Sequence, residues 1–285
     1  MRKELRDQKR RRYLDSAITI VMRDGFDALT MGAIAREVHA AVGTIYGYFP
    51  SKGALVSELQ VHAVETIVTA WREARTLWSE EFSRAGMSSD ERLLAELLAY
   101  GEYFSGVRHA YPHEFRLQQM QLAERHDEFG EEELGLLVPA ATELMGCSFD
   151  LVNDAVTAGV IRGSEDTFER SVCLALALNG ISLIENVPFA ADLVVPDRMS
   201  RALVRDLVIS WGADAATVGR LLPIVGAVAA SMPLDSMPTY FDHQARVAQQ
   251  LGIDVTIGIR GDGDTIDLSE EPALSPIGLD SLPAN

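Results

Sequence analysis

Leu29-Thr30-Met31-Gly32-Ala33-Ile34-Ala35-Arg36-Glu37-Val38-His39-Ala40-Ala41-Val42-Gly43-Thr44-Ile45-Tyr46-Gly47-Tyr48-Phe49-Pro50-Ser51-Lys52 is the stretch that decides the fold. Thr30 stands where its hydroxyl can cap a short helix over 31–38. After a break of a few residues a second short helix follows over about 41–46. Upstream, Leu14, Ala17, Ile18, Val21 and Met22 fall at helical spacing between Gln8 and Asp24, and Gly25 marks the stop. Two short helices joined by a tight turn and backed by a third describe a helix-turn-helix, the commonest device for placing a helix in the major groove.

Charge agrees with that reading. Residues 1–52 hold ten Lys or Arg against six acids, whereas the other 233 residues hold 15 bases and 36 acids, within a chain of net charge −17. A basic head on an acidic body suits a protein of which one end meets phosphate while the other is repelled.

Within this stretch, Gly43 has no side chain to hold the start of the second helix off the groove floor, which leaves Thr44 and Tyr46 to reach base edges or phosphates. Val42 offers apolar contact to thymine methyls. Tyr48 and Lys52 would hold flanking phosphates, and Thr30 with the amides behind it offers another phosphate contact. That helix contains no Arg, Asn or Gln, so direct bidentate base reading is thin and DNA shape must carry part of the specificity. The basic run from Arg2 to Arg12 is a further candidate for backbone or minor-groove contact.

Leu29-Thr30, Ile34-Ala35, Gly43-Thr44-Ile45-Tyr46, Tyr48-Phe49-Pro50-Ser51-Lys52 and Ala54-Leu55 resemble the amino-terminal domain of the TetR family of transcriptional regulators, over roughly Leu14 to Leu59. The resemblance implies DNA contacts by Thr30, Val42, Gly43, Thr44, Tyr46, Tyr48 and Lys52, with Ile34, Ala35, Ile45, Phe49 and Leu55 as core. Two positions depart from the family's pattern. His39 occupies a turn position that favours glycine for its positive φ, and Ala41 replaces a serine that would cap the next helix.

Beyond the head, a long helix over 51–82 carries Leu55, Leu59, Ala63, Ile67 and Ala70 on one stripe. Further helices follow from Ser88 to about Gly106, from Pro112, and from about Pro139 to Ile161. The resemblance implies that these middle helices enclose an effector cavity. Tyr103, Phe104, Tyr111, Phe115, Met120, Met145 and Phe149 are the candidate lining, and the scarcity of charge points to an apolar or amphipathic small molecule. Two strongly apolar helices, 166–187 and 197–211, are placed by the same resemblance at a four-helix homodimer interface.

The expected organisation is an all-α chain: a helix-turn-helix domain at 1–52, an effector-binding and dimerisation domain at 53–214, and an extension at 215–285. In the extension, helices over 221–230 and 240–251 precede an alternation of Ile253, Val255, Ile257 and Ile259 that predicts a small β-hairpin near 253–268, followed by a frayed end rich in proline and acid.

The chemistry excluded is as informative. No Gly-rich phosphate loop, nucleophile elbow or triad is present, so no enzyme and no cofactor is expected. His109 and His113 are split by Pro112, and Asp262, Asp264 and Asp267 lack calcium-loop spacing, so no metal is expected. Cys147 and Cys173 read as buried free thiols. No signal peptide and no uninterrupted apolar span is seen, which places the chain in the cytoplasm, away from membranes. The reading that follows is a ligand-responsive regulator, a repressor released from a palindromic double-stranded operator by its effector. A helical lipid carrier or enzyme with a DNA-targeting head, and a constitutive structural DNA binder, are the alternatives.

Overall fold

The computed structural model describes residues 2–123, 130–163, 166–186 and 193–250. Among the described residues eleven α-helices run in the order α1 Arg2–Asp24, α2 Met31–Glu37, α3 Val42–Tyr46, α4 Lys52–Arg84, α5 Ser89–Ala110, α6 Pro112–Ala123, α7 Glu131–Thr157, α8 Thr167–Ser182, α9 Pro196–Ser210, α10 Ala215–Ser231 and α11 Pro238–Gln250, with short 3₁₀ turns between some of them.

Local chemistry fixes many of these boundaries. Thr30 accepts a hydrogen bond from the Ala33 amide at 3.0 Å, and Ser51 accepts from Ala54 at 2.8 Å. Ser88 and Glu91 form a reciprocal capping box at the start of α5. Four helices end alike, with paired bonds from the next two amides back to the last turn and one residue in the left-handed region. In three of them that residue is a glycine, Gly86, Gly159 or Gly212; after α2 it is His39, at φ 56°, the one non-glycine with positive φ among the described residues.

The side chains gather into two clusters. One joins Tyr13, Ala17, Ile20 and Val21 of α1 to Leu29, Ile34, Ile45 and Phe49, and closes on Leu55, Leu59 and Ala63 of α4 together with Leu117 of α6. The other takes over along the same α4 from Val64 through Trp71 to Phe82, and gathers faces of α5, α7, α8, α9 and α10. Two stretches, Glu131–Thr157 and Ala215–His243, are long and apolar enough to cross a membrane by length and composition. Here α7 buries Cys147, Leu151 and Val152, and α10 buries Val218, Leu221 and Val225.

Several expectations are corrected. No strand occurs among the described residues, which are helical throughout their regular structure. The hairpin placed at 253–268 lies outside them. Four alternating apolar residues are a weak warrant for a strand, because an isolated two-stranded hairpin is marginal in water and the described fold offers no sheet edge to pair with. Pro139 lies inside α7 rather than at its start, and Pro223 lies inside α10. Each has a glycine four residues earlier, Gly135 and Gly219, where the proline ring crowds a carbonyl and the backbone must give. Cys147 is buried as expected, but Cys173 is exposed, because it lies on the outward face of α8.

Helices α10 and α11 pack back along the molecule, α10 on α5, α4 and α9, and α11 on α4 and α1. The Trp78 indole N–H donates to the Met232 carbonyl at 3.1 Å, and the Thr239 amide donates to Glu73 at 3.0 Å. Near the end of this return, His243 meets Glu114 of α6 at 2.9 Å with both side chains buried. Burial alone would raise the Glu114 carboxyl, but the hydrogen bond and charge of His243 outweigh it and hold the group below its ordinary value.

Two outcomes follow for stability. Replacing His39 by Gly removes a left-handed penalty of roughly 1 to 2 kcal/mol while adding a smaller backbone entropy cost, so His39→Gly should stabilise the protein by about 0.5 to 1 kcal/mol in urea unfolding; a destabilised variant would contradict the strain. Burial also pushes the Asp15 carboxyl of α1 up to about 6, with Arg11 pulling the other way. Because the folded pKa lies above the unfolded value of about 3.9, stability from this group grows as pH falls through 6 and is lost as pH rises. Asp15→Asn should therefore melt higher than the parent near neutral pH, and the gap should close as the pH approaches the unfolded value.

Candidate nucleic-acid interface and effector cavity

Helix α3 has an inside and an outside. Ile45 is fully buried in the small core, while Val42 and Tyr46 are 43% and 51% exposed, and Gly43 and Thr44 are exposed beside them. A Cβ added at Gly43 would meet nothing within 4 Å, so nothing in the free chain's packing requires glycine there. Ala41, at the N-cap of α3, makes no side-chain cap, and Gly47 closes the helix within a residue of Tyr46.

The flanking residues are more engaged. Thr30 is exposed, with its hydroxyl oxygen already accepting from Ala33. Tyr48 is half-buried, edge-on to Tyr13 at 5.0 Å, with the Arg6 guanidinium 5.8 Å from its ring centre. Lys52 rests its ammonium over the Phe26 ring at 4.7 Å, an arrangement of modest strength at a partly exposed site. Arg10 grips both Glu58 oxygens from its Nε at 2.8 and 2.9 Å and also donates to the Tyr48 carbonyl at 2.8 Å. It thereby ties α1 to α4. Arg10 and Glu58 are 48 positions apart, and no periodicity or motif links them in the sequence.

The larger core encloses a cavity of about 90 Å³ between α4, α5, α6, α7 and α8. Of the candidate lining residues, Tyr103, Phe104, Phe115 and Met145 border it. Tyr111 lies elsewhere, against Tyr240 and His243. Met120 packs on the head's core, and Phe149 meets Phe168 at 6.0 Å. Trp71 and Tyr100 add aromatic wall, Gln118 and Asn179 add the polar atoms, and Cys147 lies among them; the sequence marks none of these five as lining. Burial pushes the Cys147 thiol up to about 11, so it lines the cavity as a small apolar group and not as a nucleophile. The Tyr103 hydroxyl is committed to the Ile67 carbonyl at 2.6 Å.

Helix α6 belongs to both places. Phe115 and Gln118 face the cavity, while Leu117 is buried in the head's core and Met120 packs against it.

Comparison with known proteins bears on the head most directly. Residues 14–59 match the family model of bacterial regulatory proteins, tetR family. The HTH-type transcriptional repressor KstR of Mycolicibacterium smegmatis is 43% identical over 49 residues, which are 17% of this chain and 24% of that protein. Its namesake in Rhodococcus jostii is 37% identical over 60 residues, 21% of this chain and 28% of that protein. The chain thus matches about a quarter of the length of these curated relatives. For the fold, a tetR-family regulatory protein from Rhodococcus RHA1 superposes with a TM-score of 0.51 at 15% identity, covering 72% of this chain and 97% of that one. Over residues 14–59, which hold α2, α3 and the start of α4, this chain is thus similar to the tetR family of bacterial regulatory proteins.

Proposed function

We propose that the protein is a ligand-responsive, DNA-binding transcriptional regulator, a homodimeric repressor that leaves a palindromic operator when a small apolar or amphipathic molecule fills the body cavity. The observation that carries this reading is the double membership of α6, whose Phe115 and Gln118 line the cavity while Leu117 sits in the reading head's core. A molecule that pushes on Phe115 displaces the same helix that Leu117 plugs into the head, which provides the contiguous packing that a coupling of about 1 to 3 kcal/mol needs.

The DNA contacts assigned are Val42, Gly43, Thr44 and Tyr46 to the groove, and Thr30, Tyr48 and Lys52 to phosphates. For Lys52 this requires the ammonium to leave the Phe26 ring, a modest cost against a phosphate contact. Dimerisation is supported by the outer face of α8, where Phe168 and Leu176 are 54% and 50% exposed and Cys173 is exposed between them. A second copy would cover them and set two heads about 34 to 36 Å apart, or a multiple of that, on DNA. No chemical step is proposed, and the repressor names of the curated relatives favour regulation over the carrier or enzyme alternative.

Enrichment of random duplexes by the purified protein should return a palindrome. On that site Lys52→Ala should weaken all duplexes about equally, by roughly tenfold, and lower the salt slope by about one. Thr44→Ala should instead change the ranking among sites. Equal loss on every sequence for Thr44→Ala would remove its base-reading role, and failure to enrich any duplex would favour the carrier alternative.

A further inference from the structure

The cavity has one polar corner that the fold leaves unsatisfied. Asn179 on α8 is 8% exposed, and its Nδ2 donates to the Ala175 carbonyl at 2.9 Å. A carbonyl only accepts, so the amide nitrogen must face it, and this leaves Oδ1 buried without a hydrogen-bond partner. Gln118 on α6 is 3% exposed and borders the same cavity, and among the described residues its side chain makes no hydrogen bond. The two helices meet here, since the Gln119 side-chain amide reaches the Asn179 carbonyl at 3.4 Å. Leaving a buried carboxamide oxygen such as Asn179 Oδ1 unpaired costs about 1 to 3 kcal/mol, and native folds rarely keep such a group without a reason.

We propose that the group seated in this cavity is an uncharged ring bearing a hydroxyl, selected by the carboxamides of Gln118 and Asn179. The inference rests on the cavity being the effector seat.

A hydroxyl fits because it accepts from the Gln118 N–H and donates to Asn179 Oδ1 at once. A ketone or ether only accepts, and would leave Oδ1 orphaned. Among the described residues no Asp, Glu, Lys, Arg or His lines the cavity, so an ionised group there would be buried without a counter-charge from them. The rest of the wall is apolar, with Trp71, Tyr100, Phe104 and Phe115 presenting rings among aliphatic side chains and Tyr103 holding its hydroxyl elsewhere. At about 90 Å³ the space is smaller than the roughly 150 Å³ that takes a benzene ring, so seating a ring must displace a wall. The thin wall is α8, where Leu176 borders the cavity and is also 50% exposed.

Phenol and toluene have nearly the same shape and differ by a hydroxyl against a methyl. Calorimetric titration of the full-length chain should show phenol binding at least about tenfold more tightly than toluene, as hydrogen bonds of ordinary strength require. Gln118→Leu and Asn179→Leu should each bring the ratio towards one while toluene binding is kept, which also shows that the variants fold. Toluene binding as well as phenol to the parent chain would overturn the proposal, since the carboxamides would then be satisfied by water alone. If neither compound binds while an operator is still selected, the proposal and the cavity as effector seat both fail, and the DNA-binding reading stands.

Discussion

One helix is shared by two cores. Helix α4 is 33 residues long, about 50 Å at the rise of an α-helix, and its buried stripe passes from the small core to the large one between Ala63 and Val64. The head therefore cannot drift freely on a linker, because the residues that close its core continue, one turn later, into the wall of the cavity. Helix α6 makes the second connection through Leu117. With two rigid connections entering the head's core at different points, a shift of one against the other reorients the head rather than loosening it. Packed interiors respond to such a shift by switching between arrangements, not by yielding gradually.

The reading head was legible in the sequence because its signals are local. Thr30 and Ser51 cap helices through contacts three residues long, and the helical spacing of Ala17 and Val21 is visible without a partner. Even His39 was legible as a departure, since only the backbone of its own turn demands a positive φ. The start of α1 was less so: Arg2 to Lys9 are nearly all polar, and the helix there shows no apolar stripe to read. What failed was long-range. The Arg10–Glu58 pair, the Gln118–Asn179 corner and the return of α11 onto α6 join residues 48 to 129 positions apart, and a polar side chain that will be buried looks the same in sequence as one that will be wet.

Three of the seven proposed lining residues missed the cavity for one reason. Tyr111, Met120 and Phe149 are spaced as core residues should be, but an apolar position states only that it is buried, not which of several buried surfaces it meets. Tyr111 meets Tyr240 and His243 from an extension whose packing the sequence left open. The same ambiguity misplaced Pro139, because proline signals a helix start only where nothing upstream accommodates its ring.

On the proposed function, the extension changes what a ligand must do. Glu114 opens the first turn of α6 and is held there by buried His243, while Phe115 and Leu117 face the cavity and the head. Helix α6 is thus restrained on three sides: from the cavity by the aromatic wall, from the head by its core, and from α11 by a buried polar pair. Removing one partner of such a pair leaves the other charge uncompensated and costs several kcal/mol, which exceeds a typical coupling energy. Displacement that broke the pair would consume more free energy than the coupling has to give, so α6 must move with α11 and not away from it. Helix α11 also packs against α1, so that joint motion reaches the head by a route separate from Leu117.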